Sequence, residues 1–168
     1  DVAVAVGRNS PELDAGSIKF RAGILPNQHI VDVQARFPDR IAGVAGVDVS
    51  NKIHNSIDEI EKYVEKGGLK AVFIEPQRAL PAHPDDKRIL PVYEKCQDID
   101  VPVMIMTGTL AGDDISYADP VPIDHVAMQF PDLKIVCVHG CWPDIGRVIA
   151  VAMKHPNVYV SPDFYQFR

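Results

Sequence analysis

The sequence predicts an α/β chain of repeated strand–helix units, and three observations carry that prediction. Short β-branched runs recur along the 168 residues, and amphipathic segments separate them. Strand starts at 41, 70, 102, 134 and 157 stand 23 to 32 residues apart, which suits βαβ crossovers and is too long for hairpins.

The elements follow in chain order. Val2 to Val6 is an apolar, β-branched run and reads as the first strand. Phe37-Pro38-Asp39 marks a helix exit, because proline cannot continue the helix and the aspartate suits the turn. Ile41 to Val49 is the second strand. Ile53, Ile57, Ile60 and Val64 then share one helical face, with Ser56 and Glu59 at capping-box spacing and Gly67-Gly68 as the stop. Lys70 to Glu75 and Pro102 to Thr107 are the third and fourth strands. Phe130-Pro131-Asp132 closes another helix, Lys134 to His139 is the fifth strand, His155-Pro156-Asn157 repeats the exit, and Val158 to Ser161 is the sixth strand.

Such units build either an open doubly wound sheet or a closed (β/α)8 barrel. Length favours the open sheet, since a barrel takes roughly 250 residues. Yet no strand is followed by a glycine-rich phosphate loop, and the glycine pair Gly43 and Gly46 lies inside a strand. The competing reading is about three quarters of a barrel, a view that the apolar start at Asp1 without a methionine supports.

Composition narrows the function. Lys+Arg 17 against Asp+Glu 23 gives a net charge of −6, and no basic run exceeds two residues, so nucleic acid and anionic membrane surfaces are not expected partners. No apolar stretch approaches the roughly 18 residues of a membrane span, and the first thirty residues lack a signal pattern; a cytoplasmic location is expected. Cys96, Cys137 and Cys141 are odd in number and lack C-x-x-C spacing, which argues for reduced thiols.

In either architecture the chemistry belongs at the carboxyl ends of the strands. Those ends carry Asp48, Glu75, Thr107, His139 and Asp163, four of the five titratable. His139 stands out. Alternation along Ile135-Val136-Cys137-Val138-His139 separates the two valines from the other three; with the valines turned outward onto helices, His139 points inward, where a general acid/base or a metal ligand would stand. A core histidine bonded to a backbone carbonyl is the plainer account. His29, His54, His125 and His155 fall in helical segments or their ends and read as solvated imidazoles, and His83 reads as an ordinary loop residue. Cys137, His139 and Cys141 could share a side, but their spacing matches no common zinc pattern. Asp48 suits a turn with Ser50, and Glu75 could pair with Arg78. Trp142, between Gly140 and Pro143, caps the strand mouth as a substrate wall or a packing lid.

Four segments carry a family resemblance: FPDRIAGVAGVD at 37 to 48, HPDDKRILPVYEKC at 83 to 96, VPVMIMTG at 101 to 108, and YADPVPIDHVAMQFPDLKIVCVHGCWP at 117 to 143. In order and spacing the chain resembles the amidohydrolase-related metal-dependent hydrolases, the group of aminocarboxymuconate semialdehyde decarboxylase and the resorcylate-type decarboxylases. The resemblance implies a (β/α)8 TIM barrel, present as a partial barrel of about six strands over residues 1–168, with Val2 to Val6 second, Val158 to Ser161 seventh, and the first and eighth strands absent from the chain. It implies an enzyme, either a hydrolase or a non-oxidative decarboxylase, acting on a small carboxylated or carbonyl substrate with a divalent metal, zinc by resemblance. His139 falls on the catalytic histidine ending the sixth barrel strand, and Met106 on the ligand histidine of the fifth. Thr107, Trp142 and Asp163 are the expected pocket residues, and the expected partners are a small molecule and further copies of the chain. Two rivals remain: a family member that has lost its metal and only binds, and an open-sheet nucleotide-binding domain.

Overall fold

The structure is a computed structural model, which describes residues 1–10, 13–15, 18–20 and 23–163. Strand β1 (Ala3–Val6) runs into β2 (Arg8–Ser10), which pairs antiparallel with β5 (Gly23–Leu25); β3 (Leu13–Ala15) and β4 (Ile18–Phe20) form a second antiparallel pair. From β5 the chain alternates: α1 (Asn27–Arg36), β6 (Ile41–Val47), α2 (Ser56–Ile60), β7 (Ala71–Ile74), α3 (Pro76–Ala79), α4 (Leu90–Asp98), β8 (Val103–Met106), α5 (Val121–Gln129), β9 (Ile135–Val138), α6 (Ile145–Lys154) and β10 (Val158–Ser161). The three-residue strands β2 to β5 are too short for an alternation that sequence reading could detect.

All six expected strands form one parallel sheet in the order β1-β6-β7-β8-β9-β10 and curl into a half-barrel. Each crossover advances one strand in the same direction, so right-handed connections lay every helix on one face. Burial shows this directly. Ile30 of α1, Ile60 of α2, Tyr93 of α4, Val126 of α5 and Val148 of α6 pack with Val47, Val72, Ile105, Ile135 and Cys137 in the main core. The opposite strand face, Val44, Ala71, Phe73 and Met106, forms a separate small cluster joined by Ala111, with Val6, Met104 and Val138 at its margin. A doubly wound sheet would have helices on both faces. The open-sheet expectation therefore fails, and the curled sheet is the partial barrel.

Local signals mostly hold. Phe37, Phe130 and His155 each cap a helix just before the proline, at the expected exits. The helix over the isoleucine stripe begins only at Ser56, which leaves Ile53 exposed in the preceding turn and off the helical face, and it is capped differently. Asn55, not Ser56, accepts from the amides of Ile57 and Asp58, while the Ser56 amide donates to Asn51 and Glu59 accepts from Asn27 across the core. Its continuation over Glu61–Glu65 widens to a π-helical turn. At its end Gly68, at φ 74°, donates to Val64 O while Leu69 donates to Tyr63 O, nested bonds each one residue wider than those of a Schellman motif, after the π-helical turn.

Candidate functional site

Inner-face parity decides where the strand ends point. Ile135 and Cys137 are fully buried in the helix-side core, whereas Val138 borders the inner cluster. The sequence-based parity for this strand is thus inverted: the valines face the barrel interior, and strand alternation does not direct His139. What redirects the chain is the backbone. His139, Gly140 and Cys141 take φ of 70°, 57° and 52° in a tight turn straight after β9, and Asp163 takes 41°. Three non-glycine residues in the left-handed region so close together represent strain that the surroundings must hold, and such strain collects at functional sites.

Thr107 is part of what holds the turn. Its hydroxyl donates to Val138 O at 2.7 Å and accepts from the Cys141 amide at 3.0 Å, and its own amide donates to Val138 O. The hydroxyl is spent on backbone, and Thr107 is buried. Asp163 holds the other side. Its Oδ2 accepts from the His139 amide at 3.1 Å, and its Oδ1 accepts from the Ser161 hydroxyl at 2.6 Å. The same Oδ2 stands 3.6 Å from His139 Nδ1, an ion-pair distance once the ring is protonated. Burial pulls the His139 pKa below its ordinary 6.5, with the charges of Asp163 and Glu75 opposing. The ring is therefore neutral near pH 7 and has a carboxylate beside it to stabilise the imidazolium. That is the state of a general base. Half-buried Trp142 follows in the same turn, its amide donating to His139 O.

The remaining strand ends are occupied by structure. Asp48 is fully buried and accepts from the Ser50 amide and hydroxyl, and from the amides of Lys52 and Ile53, so it is a turn carboxylate. Glu75 pairs with Arg78 at 3.2 Å as expected, and also with Arg8, whose Nε and Nη2 donate to its two oxygens at 2.9 and 2.8 Å. Arg8 had no signal of its own, because its partner lies 67 residues away. Met106 lies in the inner cluster near Phe73 and Val138, and its carbonyl accepts from Gln77 Nε2 at 2.9 Å.

Of the histidines away from the site, His29 and His125 are exposed as expected, whereas His54 and His155 are partly covered. His155 Nε2 lies 2.6 Å from Asp124 with most of its ring covered, His125 Nδ1 lies 2.7 Å from Asp85, and His54 Nε2 accepts from the Asp48 amide. His83 packs edge-on against Tyr117. Cys137 and Cys141 are buried on the helix side, and burial pushes the third thiol, Cys96, up to about 12. Among the described residues, no group of three or more His, Cys, Asp or Glu could hold a metal ion. These donors do not by themselves fit the metal that the resemblance implies.

Sequence comparison settles the family. The amidohydrolase sequence profile matches residues 11–166. The chain belongs to the amidohydrolase family. Among solved structures, an uncharacterised TIM-barrel protein from Bordetella bronchiseptica is 35% identical, with TM-score 0.84, covering 99% of this chain and 56% of that one. The 4-oxalomesaconate hydratase of Rhodopseudomonas palustris shares 22% identity at TM-score 0.61, covering 83% and 49%. A 5-carboxyvanillate decarboxylase from Novosphingobium aromaticivorans, solved with bound manganese, shares 19% identity at TM-score 0.50, covering 67% and 38%. The last two likenesses show the fold alone. This amidohydrolase chain spans about half the length of the first two relatives. A search of curated proteins found no match. Among the described residues no helix is long and apolar enough to cross a membrane.

Proposed function

We propose that the protein is an amidohydrolase-superfamily enzyme, a hydrolase or non-oxidative decarboxylase, acting on a small carboxylated or carbonyl substrate with His139 as general acid/base. The observation that carries the reading is His139 itself, neutral by burial and 3.6 Å from the Asp163 carboxylate at the end of a barrel strand. Substrate bound at the carboxyl ends of the strands gives up a proton to the ring, or takes one from it, while Asp163 stabilises the charged form. Thr107 supports the turn rather than contacting substrate, and Trp142 walls the same turn. The manganese-containing decarboxylase and the family support a divalent metal, zinc by resemblance, but the described residues do not make its site and no step here passes through it.

The test is His139→Asn in the whole protein. Turnover falls by about 10²–10⁴-fold with the fold intact. Unchanged turnover returns His139 to a structural role.

One observation favours a second reading, a metal-free member that binds without catalysis. By the resemblance Met106 falls on the position of the ligand histidine; it sits among apolar side chains, and a thioether suits zinc or manganese poorly. Titrating zinc into the protein and into Met106→His separates the two. Under the enzyme reading the added imidazole tightens binding. Weak binding in both proteins supports the second reading, and equal, tight, one-to-one binding in both contradicts the placement of Met106.

A further inference from the structure

A buried side-chain amide sits at the carboxyl ends of the strands, apart from the groups assigned to proton transfer. Gln77, in α3 directly after β7, is 1% exposed, and its Nε2 donates to Met106 O at the end of β8 at 2.9 Å. The reason lies in the sheet ladder. Val72 donates from β7 to Pro102 O, and with Ile74 beside Ile105 the same spacing next sets Pro76 against Met106 O. Proline has no N–H, so the following side chain, Gln77, supplies the missing donor. That bond fixes the amide in one orientation and leaves its Oε1 buried, with no hydrogen-bond partner among the described residues. An unpaired buried acceptor offsets what the bond contributes, so stability alone does not account for a glutamine here.

The bond feeds a relay of two peptide groups. A peptide group is planar and trans, so its C=O and N–H point in opposite directions, and fixing one fixes the other. The Met106 carbonyl, held by Gln77, shares its peptide group with the Thr107 N–H, which donates to Val138 O at 3.0 Å. The Val138 carbonyl in turn shares its group with the His139 N–H, which donates to Asp163 Oδ2 at 3.1 Å. All three bonds run the same way, from the residue after β7, across the ends of β8 and β9, to a carboxylate beyond β10. Hydrogen bonds so aligned polarise one another, and the last of them is made to a charged acceptor. That acceptor is the oxygen that stands 3.6 Å from His139 Nδ1.

We propose that Gln77 is a positioning residue that sets the His139 turn and the Asp163 carboxylate through these two peptide groups. Its effect on turnover rests on the acid/base role given to His139 above; the relay itself does not. Asn157 offers the contrast. Its Nδ2 also donates to backbone, to Phe130 O at 3.0 Å and Leu133 O at 2.9 Å, but ahead of β9 and β10, at the opposite end of the sheet from His139.

The experiment is amide NMR of the whole protein, unmutated and as Gln77→Met, with Asn157→Leu as the control. Gln77→Met removes the donor and the unpaired oxygen together, so thermal stability stays within a few degrees of the unmutated protein. The amide protons of Thr107 and His139 nonetheless both move upfield and exchange faster with solvent, the second from two peptide groups away. Asn157→Leu lowers stability and leaves both resonances in place. On small aromatic carboxylates, kcat of Gln77→Met falls about three- to tenfold at nearly constant KM, as loss of one hydrogen bond that acts only on the reacting geometry requires. An unmoved His139 amide overturns the proposal. So does an equal movement in Asn157→Leu, or an unchanged kcat where His139→Asn loses turnover. Gln77→Asn, one methylene too short to reach Met106 O, takes the place of Gln77→Met should that variant fail to fold. If His139→Asn keeps full turnover, or no carboxylate is turned over, the acid/base reading fails by itself, and the His139 amide still decides the relay.

Discussion

His139 combines three local facts: a left-handed backbone, burial that keeps its ring neutral, and an aspartate within ion-pair distance. The sign of its titration follows. Its folded pKa lies below the ordinary 6.5, so above 6.5 both folded and unfolded rings are neutral and its contribution to stability is complete. As pH falls from 6.5 through the folded value the unfolded chain takes up the proton first, and that contribution is lost. Thermal unfolding should show the loss in that window, and the His139→Asn variant should lack it. The acid limb of kcat/KM should fall below 6.5 for the same reason. Thr107 makes a second residue-scale prediction. Thr107→Val removes the donor to Val138 O and the acceptor for the Cys141 amide, so denaturant unfolding should show a loss of about 1–3 kcal/mol. No loss would mean that the turn is held by other contacts. His139 was legible in the sequence as a polar residue ending an apolar strand. Its direction was not, because a positive φ resets alternation and no pattern of side chains announces it.

At the scale of elements, what the sequence made legible were those marked by chemistry with a short range. Proline exits, the six apolar strands and the isoleucine stripe from Ile57 onward depend on neighbours within a few residues and appear where expected, whereas Ile53 lies in the turn before the helix and is exposed. The helix cap was misassigned to Ser56 because Asn55 and Ser56 are both good capping residues; the Asn55 side chain takes the cap, and the Ser56 backbone amide donates to Asn51. The Arg8–Glu75 pair was invisible for the opposite reason, since it depends on a crossing of strands far apart in sequence. Gly46 permits the close approach of the Gly7–Arg8 backbone to β6. Gly46→Ala forces a methyl group against the Gly7 carbonyl, and should destabilise by about 1–3 kcal/mol or more in denaturant unfolding. Wild-type stability in that variant would show that β1 and β6 can move apart without cost.

For the molecule as a whole, the one-sided placement of helices separates a barrel from a doubly wound sheet. That distinction was beyond composition, since both architectures repeat the same βαβ unit. A sheet covered by helices on one face leaves the other to form an interior, and here that interior is apolar at its middle and charged at its rim, with Phe73 and Met106 below and Arg8, Glu75 and His139 above. The proposed function draws on that rim. The most direct measurement assays the whole protein and its His139→Asn variant side by side on a panel of small aromatic and unsaturated carboxylates, scored for release of carbon dioxide and for hydrolysis. The account predicts turnover of at least one member by the unmutated protein, and a drop of about 10²–10⁴-fold in the variant at unchanged thermal stability near pH 7. Equal turnover by the two proteins would contradict it.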